Sequence, residues 1–528
     1  MPTPAERARA PSSRFSGSLF ATPLDRFIVC TAGVALVAAV LVLAATVSQP
    51  ILESYGFRQA QTALTAYWFT REGYALAYQT PVLGYPWAVP FELPLFQAIV
   101  AGIASFVPYP LDQIGRTVSF GFFLATLGPV AVICRELRLG RRVFFVFASL
   151  YLLSPQYLFW GRTFMIEAAA TFFCVAAIAS ALPLFGRASI SFWRYIAVLA
   201  LSSLAMTLKV TSGLPVLGML GTVLAMLALF SWRERDAVRA RTFLLRGVLL
   251  AVPLAVSLVW THFTDVVKMQ NEVGRLLTAA ALPDWTIGTL RQRFSRVFLS
   301  DVIWHRSLNT NAAGVLGMAV IGFFLIDETR AARRSIALCL VALFLLPLLV
   351  FTNLHIVHTY YQTANVIYLL LLLALALVFL AEHTSPRLFT LAFVLVLASH
   401  VGQFHRQHWR VAHQRITVEN NLVLATAKVL REQSPAGKAI LIYGLDWSSE
   451  LPYYAQRKAL AVPDWYPKYE DPLTVPERYF GATSVGALVV CASTKQPPEN
   501  AIQRFLASFG PFREVSGSPC RIFVSPPM

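Results

Sequence analysis

Charge is what this chain has least of. Only 13% of its 528 residues are Asp, Glu, Lys or Arg, while 56% are hydrophobic. A soluble domain carries about 25% charge, so a soluble globular protein of this size is excluded. Acids are scarcest: 27 Asp and Glu stand against 44 Lys and Arg, a formal net charge of +17. That surplus does not point to nucleic acid, because no basic and aromatic surface module accompanies it. The arginines instead sit in short loops between apolar runs, the positive-inside pattern of a membrane protein. Cysteine is also scarce, with six in all. Cys30, Cys134, Cys174 and Cys339 fall in apolar runs and read as packing residues. Cys491 and Cys520 fall in the polar C-terminal part and can pair if that part is extracytoplasmic. There is no internal repeat and no long low-complexity tract. No A-x-A-like cleavage site follows the first apolar run, which is expected to remain as a span.

What the chain does have is a series of apolar runs near the roughly 20 residues that cross a bilayer. They lie at 27–47, 117–133, 143–159, 165–185, 193–208, 210–230, 247–260, 313–326, 335–351, 364–380 and 388–401, about eleven spans by the hydropathy criterion. One further run, Leu93–Val107, is bracketed by Pro94, Pro108 and Pro110. The loops at 134–142, 231–246 and 327–334 are rich in arginine, as is the N-terminus with Arg7, Arg9, Arg14 and Arg26. All fall on one side only if Leu93–Val107 does not span. It is therefore expected to lie in the interface, beside a second interfacial helix at Arg58–Glu72 with Ala60, Leu64, Tyr67 and Trp68 on one face. An odd span count puts the C-terminus outside.

The expected organisation is a cytoplasmic N-terminus (1–26), a helical membrane domain (27–404) whose first outer loop is 49–116, and an α/β domain (405–528). In the last, Lys438–Leu445 and Val485–Cys491 read as buried strands, Ser449–Gln456 and Asn500–Ser508 as helices, and Arg521–Val524 as an edge strand.

Under this topology the unusual polar residues gather on the outer side. Glu53, Arg58 and Glu92 are in the first loop, Arg162 and Glu167 in the second, Lys209 in the next, and His355, His358, Tyr360 and Tyr361 in a later one. Ionisable groups at a membrane boundary are costly unless paired or hydrated. A carboxylate in such a place can take a proton from an attacking hydroxyl, and Arg and Lys suit a phosphate leaving group. Tyr85 and Trp87 can stack on sugar faces or line a lipid groove. A divalent metal cation held by carboxylate and histidine can do part of the cationic work, with Glu53, Glu167 and His358 as candidate ligands. Structural roles compete with these: Glu53 can cap the helix that holds Arg58, and Glu92 can pair with Arg58 or Arg71.

These motifs resemble the GT-C superfamily of polyprenyl-phosphate-dependent glycosyltransferases, nearest to family 39 and the lipid A aminoarabinose transferases. FRQAQTA (Phe57–Ala63), PVLGYPWAVPFELPLFQ (Pro81–Gln97), GRTFMIE (Gly161–Glu167) and HTYY (His358–Tyr361) carry the likeness, over roughly residues 20–405. The resemblance implies a bacterial inner-membrane enzyme, its site facing the periplasm. A hexosyl or pentosyl unit would pass from a polyprenyl phosphate to a glycolipid, polysaccharide or protein acceptor. The family's usual base is an aspartate before the first-loop arginine; here the matching acid is Glu53, five residues ahead of Arg58. Glu53 or Glu167 is then the catalytic base, Arg58, Arg162 and Lys209 the donor-phosphate contacts. Gln59, Gln61, Tyr85, Trp87, Glu92, His355, His358, Tyr360 and Tyr361 complete the substrate-binding set. Membrane lipid is the other implied partner. A transporter or lipid flippase, which favours mid-membrane polarity and repeated halves, and a non-catalytic lipid-binding assembly subunit are the rival readings.

Overall fold

The computed structural model describes residues 21–186, 189–508 and 511–526; Arg7, Arg9 and Arg14 lie outside them. The described chain is a multi-pass helical membrane domain followed by a small α/β domain. Eight helical stretches are long and apolar enough to cross a bilayer: Pro23–Thr46, Leu111–Glu136, Glu167–Phe185, Val210–Arg233, Ala237–Met269, Ala331–Val350, Val366–His383 and Pro386–His413. Phe192–Leu208 and Val315–Asp327 are shorter apolar helices. The run expected at 143–159 is divided into Arg141–Leu153 and Pro155–Trp160. Pro155 brings no backbone N–H, and Ser154 between the two helices is not helical (ψ 128°). Each expected span thus falls on helix, while length alone qualifies fewer of them.

Leu95–Ala104 is a helix of ten residues. At about 1.5 Å per residue it is roughly 15 Å long, half of the ~30 Å hydrocarbon core, so it cannot span. The other first-loop helix is Gly56–Glu72.

The centre of the bundle is Val366–His383, in which every residue from Val366 to Leu380 is buried. A helix apolar on all sides can be enclosed by other helices, and this one packs against Arg141–Leu153, Val315–Asp327 and Ala331–Val350. Pro23–Thr46 lies at the periphery. It buries the stripe Ile28, Ala32, Ala35 and Ala39 and leaves Val34, Val37 and Leu41 outward. Alanines on that stripe allow close approach to Arg141–Leu153. A capping box of Thr22 and Asp25 starts this helix, and Asp25 also accepts from Arg142 Nε at 2.7 Å. Arg330 and Arg333 meet Glu328 and Glu382 in a second ionic cluster.

The α/β domain has five strands: β1 (Ala439–Tyr443), β2 (Ala459–Val462), β3 (Val485–Val490), β4 (Arg513–Val515) and β5 (Arg521–Val524). Their order is β2-β1-β3-β5-β4. The first three are parallel, and β5 runs antiparallel to both neighbours. Arg521–Val524, read from sequence as an edge, is interior because the short β4 covers it; β4 alternates too weakly to be seen. Residue Val490 pairs with Arg521, so the next position outward joins Cys491 to Cys520 in a disulfide. The helix begun at Pro386 continues past residue 405 to His413, since its polar last turns look soluble by composition.

This domain is fastened to the first loop. Ala459 and Ala461 donate backbone N–H to Pro81 O and Val82 O, and Gly84 N–H donates to Ala459 O. The segment thereby covers the open edge of β2, which would otherwise expose unpaired backbone groups. Asn271 Nδ2 then bonds the carbonyls of Leu83, Gly84 and Tyr85 at 3.0, 3.0 and 3.1 Å.

Candidate active site

The helix Gly56–Glu72 starts after Tyr55, which has left-handed backbone angles (φ 54°). Its first turns present Arg58 and Gln61, three residues apart, on the same face. Arg58 Nη1 donates to Gln61 Oε1, and Nη2 pairs with Glu92 Oε2 at 3.0 Å. Gln97 Nε2, on the short helix beyond Glu92, holds its other oxygen at 3.1 Å. Arg58 is thus one of the two partners foreseen for Glu92. The pairing is partly open, with side-chain exposures of 20% for Arg58 and 10% for Glu92. Glu92's charge raises the Arg58 pKa despite burial, so the guanidinium is permanently charged.

Lys209 enters from a different direction. It is a single extended residue (φ −159°, ψ 94°) between Phe192–Leu208 and Val210–Arg233. The two helices meet closely behind it, because a Cβ on Gly213 would lie 2.7 Å from Ala205 O. Lys209 Nζ bonds Glu167 Oε1 at 2.6 Å. It also stands 4.1 Å from the Tyr361 ring centre and 5.1 Å from that of Tyr360, within cation–π range. His358 stacks on both tyrosines, with centroids 5.2 and 5.7 Å away. Burial, then the charge of Lys209, holds His355 down to about 3 and His358 to about 4. Both imidazoles are neutral near pH 7.

Several buried atoms facing these groups have no hydrogen-bond partner among the described residues: Glu167 Oε2, Gln61 Nε2, Gln97 Oε1, both nitrogens of His355 and Nδ1 of His358. Buried polar atoms are nearly always satisfied. Unmet donors and acceptors beside two cations suit a polar, anionic ligand.

Glu53 belongs to a separate cluster. Its carboxylate accepts from Arg116 Nη1 at 2.6 Å, Arg162 Nη1 at 3.1 Å and Arg162 Nη2 at 3.0 Å. The side chains of Glu53 and both arginines are at most 1% exposed. Burial alone would raise the Glu53 pKa, but Arg162 and Arg116 more than reverse this and hold it below the usual carboxylate range. Arg116 Nη2 also bonds Pro50 O, so the trio ties the first loop to the helix Leu111–Ala125 and the 161–166 turn. The structure therefore separates Glu53 and Arg162 from Glu167 and Lys209, with which the sequence reading grouped them. It also supplies Arg116, which that reading lacked. The signal for Arg116 was its position: an arginine just inside an apolar helix requires a buried partner.

Gln59, Tyr85 and Trp87 stand outside the cluster. Gln59 donates to Ser54 O and accepts from Phe164 N, bracing the same turn. Tyr85 donates its backbone N–H to Tyr479 O, and Trp87 packs against Phe480. Both are buried or held by the α/β domain because their loop pairs with β2. Among the described residues no group of three or more His, Cys, Asp and Glu is close enough to hold a metal ion. Glu53, Glu167 and His358 do not form one.

No family model and no curated protein matches the chain. Solved structures do. ArnT from Cupriavidus metallidurans, bound to undecaprenyl phosphate, superposes with a TM-score of 0.59 at 13% identity, over 94% of this chain and 97% of that one. The archaeal oligosaccharyltransferase AglB from Archaeoglobus fulgidus, in complex with an inhibitory peptide and a dolichol-phosphate, gives 0.55 at 13% identity, over 89% and 70%. The mycobacterial arabinofuranosyltransferase AftD gives 0.54 at 13% identity, over 95% of this chain but only 40% of that one. At such identity the likeness speaks for architecture: the chain has the fold of the GT-C glycosyltransferases.

Proposed function

We propose that this protein is a bacterial inner-membrane glycosyltransferase. It moves a sugar from a polyprenyl-phosphate donor to the hydroxyl of an acceptor on the periplasmic side. The observation that carries this reading is the pairing of two cations with two carboxylates, Arg58 with Glu92 and Lys209 with Glu167, at one end of the helix bundle. Two of the similar structures are complexes with undecaprenyl phosphate and a dolichol-phosphate, which supports the donor class.

In this reading Arg58 and Lys209 hold the donor phosphate, with Tyr360 and Tyr361 keeping Lys209 in place. The acceptor oxygen attacks the anomeric carbon from the face opposite the phosphate. The carbon–oxygen bond to phosphate breaks, and the configuration inverts. Glu92 takes the acceptor proton. It is preferred to Glu53 and Glu167 because its side chain is 10% exposed while each of theirs is 1% exposed, and because Glu53 is clamped by two arginines. His355 and His358, neutral, offer hydrogen bonds to the donor. The acceptor is a glycolipid, polysaccharide or protein, and the sugar a hexose or pentose.

The test uses purified protein in nanodiscs with a synthetic undecaprenyl-phosphate sugar. Glu92→Gln removes the general base, an effect of about 10²–10⁴-fold in rate, and leaves undecaprenyl-phosphate binding nearly intact. Lys209→Ala weakens that binding by roughly tenfold or more, the value of one charge-assisted hydrogen bond. Full turnover by Glu92→Gln refutes the base, and unchanged binding by Lys209→Ala refutes the phosphate site.

A further inference from the structure

The α/β domain carries two Asp-Trp pairs that the transfer chemistry leaves unused, Asp446-Trp447 and Asp464-Trp465. They follow β1 and β2, which end side by side, Tyr443 opposite Val462. In a sheet ordered β2-β1-β3 the chain leaves β1 toward one side and β3 toward the other. Ligands of open α/β sheets sit in the crevice outside the carboxyl ends at such a reversal. The loop after β3 closes this crevice: Lys495 Nζ bonds Asp464 O at 3.1 Å, and Thr494 Oγ1 reaches Asp464 Oδ2 at 3.4 Å.

The groups there are of a particular kind. Trp465 is 46% exposed, and its side chain stands beside the Asp446 carboxyl. Asp464 Oδ1 is buried and has no hydrogen-bond partner among the described residues. Asp446 is exposed and sits at φ 49°, a left-handed conformation that a non-glycine residue adopts at some cost.

The crevice also reaches the reacting cluster. Trp447 packs edge-on against Phe57, 4.9 Å between centroids, and lies 6.1 Å from Phe91. Those residues immediately precede Arg58 and Glu92. At the end of the same loop, Glu450 Oε1 lies so near Gly56 that a Cβ there would be 2.3 Å away. This loop therefore abuts the first turn of the helix that carries Arg58.

We propose that Asp446, Trp447, Asp464 and Trp465 form a saccharide-binding subsite that holds a sugar ring of a carbohydrate acceptor beside the reacting cluster. The proposal rests on the transferase reading above and adds the acceptor's chemical class. An indole offers its face to the C–H side of a sugar ring, and carboxylates accept hydrogen bonds from hydroxyls. Two acids repel an anionic lipid headgroup. They also fall short of the six to eight oxygens that calcium takes.

The experiment is direct binding of soluble oligosaccharides to the full-length protein in nanodiscs. The probes are di- to tetrasaccharides of glucose, galactose, N-acetylglucosamine and glucuronic acid, with undecaprenyl phosphate titrated in parallel. The parent protein is expected to bind at least one saccharide. Trp465→Ala and Asp464→Asn weaken that binding by about tenfold, the effect of losing an interface anchor. Trp465→Phe keeps most of it, and all variants bind undecaprenyl phosphate as the parent does. No saccharide binding by the parent, or equal binding by Trp465→Ala, overturns the subsite while leaving the donor site standing. Calcium binding without a saccharide effect overturns it as well. Loss of undecaprenyl-phosphate binding by the parent itself would instead remove the transferase reading.

Discussion

Substitution of Glu53 separates a strut from a base more sharply than any other change. Glu53→Gln keeps size and one acceptor oxygen but removes the negative charge that Arg116 and Arg162 share. In the native trio three hydrogen bonds are charge-assisted at both ends. Their donors and acceptor are essentially inaccessible to water. The variant would leave two buried guanidinium groups facing a neutral amide. Breaking a buried ion pair from one side costs about 3–5 kcal/mol, most of it the unpaired charge left behind. Here two such charges remain, so the upper part of that range applies. The expected result is reduced yield and a lower midpoint of thermal unfolding in nanodiscs, with turnover per folded molecule changed only a few-fold. Glu92→Gln should do the reverse, losing turnover with little change in the midpoint. If Glu53→Gln unfolds like the parent and yet loses turnover by about 10²-fold or more, the strut argument is refuted and Glu53 is the base.

Acid should destabilise the protein in two stages. His355 and His358 are held down to about 3 and about 4 from 6.5. The unfolded chain therefore takes up these protons first, and stability falls as pH drops from 6.5 toward 4. Glu53, whose pKa is lowered from 4.5, adds a further loss below pH 4.5; His355→Asn should flatten the upper stage in thermal scans, and an unchanged slope would refute it. Gly213→Leu should push Val210–Arg233 away from Ala205 and shift Lys209, lowering undecaprenyl-phosphate affinity; affinity equal to the parent's would show that the close approach does not position the lysine. Cysteine labelling in intact cells should reach Lys495→Cys but not Arg138→Cys, and the opposite pattern would invert the orientation.

What the sequence made legible was whatever local pattern determines. Helices follow from apolar length, and the arginine loops fixed which run could not span, as the ten residues of Leu95–Ala104 bear out. β1 and β3 were readable because continuous apolar runs mark strands buried on both faces. β2 and β4 were not: both are placed by their neighbours, and β4 is only three residues long. The acids and cations of the site, Arg116 apart, were visible as rare residues in an acid-poor chain. Their partners were not, because the choice is made across large separations: Glu53 with Arg116 spans 63 positions and with Arg162 spans 109. Arg162 therefore looked like a companion of Glu167, its neighbour in sequence. Tyr85 and Trp87 looked like sugar platforms for the same reason. Nothing local shows that their loop completes the edge of a sheet more than 350 residues later.

The pairing that results has a consequence for charge during transfer. Arg58 and Lys209 against Glu92 and Glu167 sum to zero. A sugar linked through a phosphodiester brings one negative charge into this neutral, largely buried group. In the proposed step the acceptor proton moves to Glu92 as the phosphate leaves as a monoester with one more negative charge. The total is unchanged, but its distribution is not: Glu92 becomes neutral, and Arg58 loses its carboxylate partner as the phosphate gains charge. Arg58 is then free to turn Nη2 from Glu92 to the leaving group, where interaction is stronger in the transition state than before it. On this account Arg58 acts in the chemical step and not only in binding. Arg58→Lys, which keeps the charge but loses the fork, should lower kcat more than it raises the Kd for undecaprenyl phosphate. A fall in affinity with kcat intact would instead confine Arg58 to donor binding, and would leave the stabilisation of the leaving phosphate to Lys209.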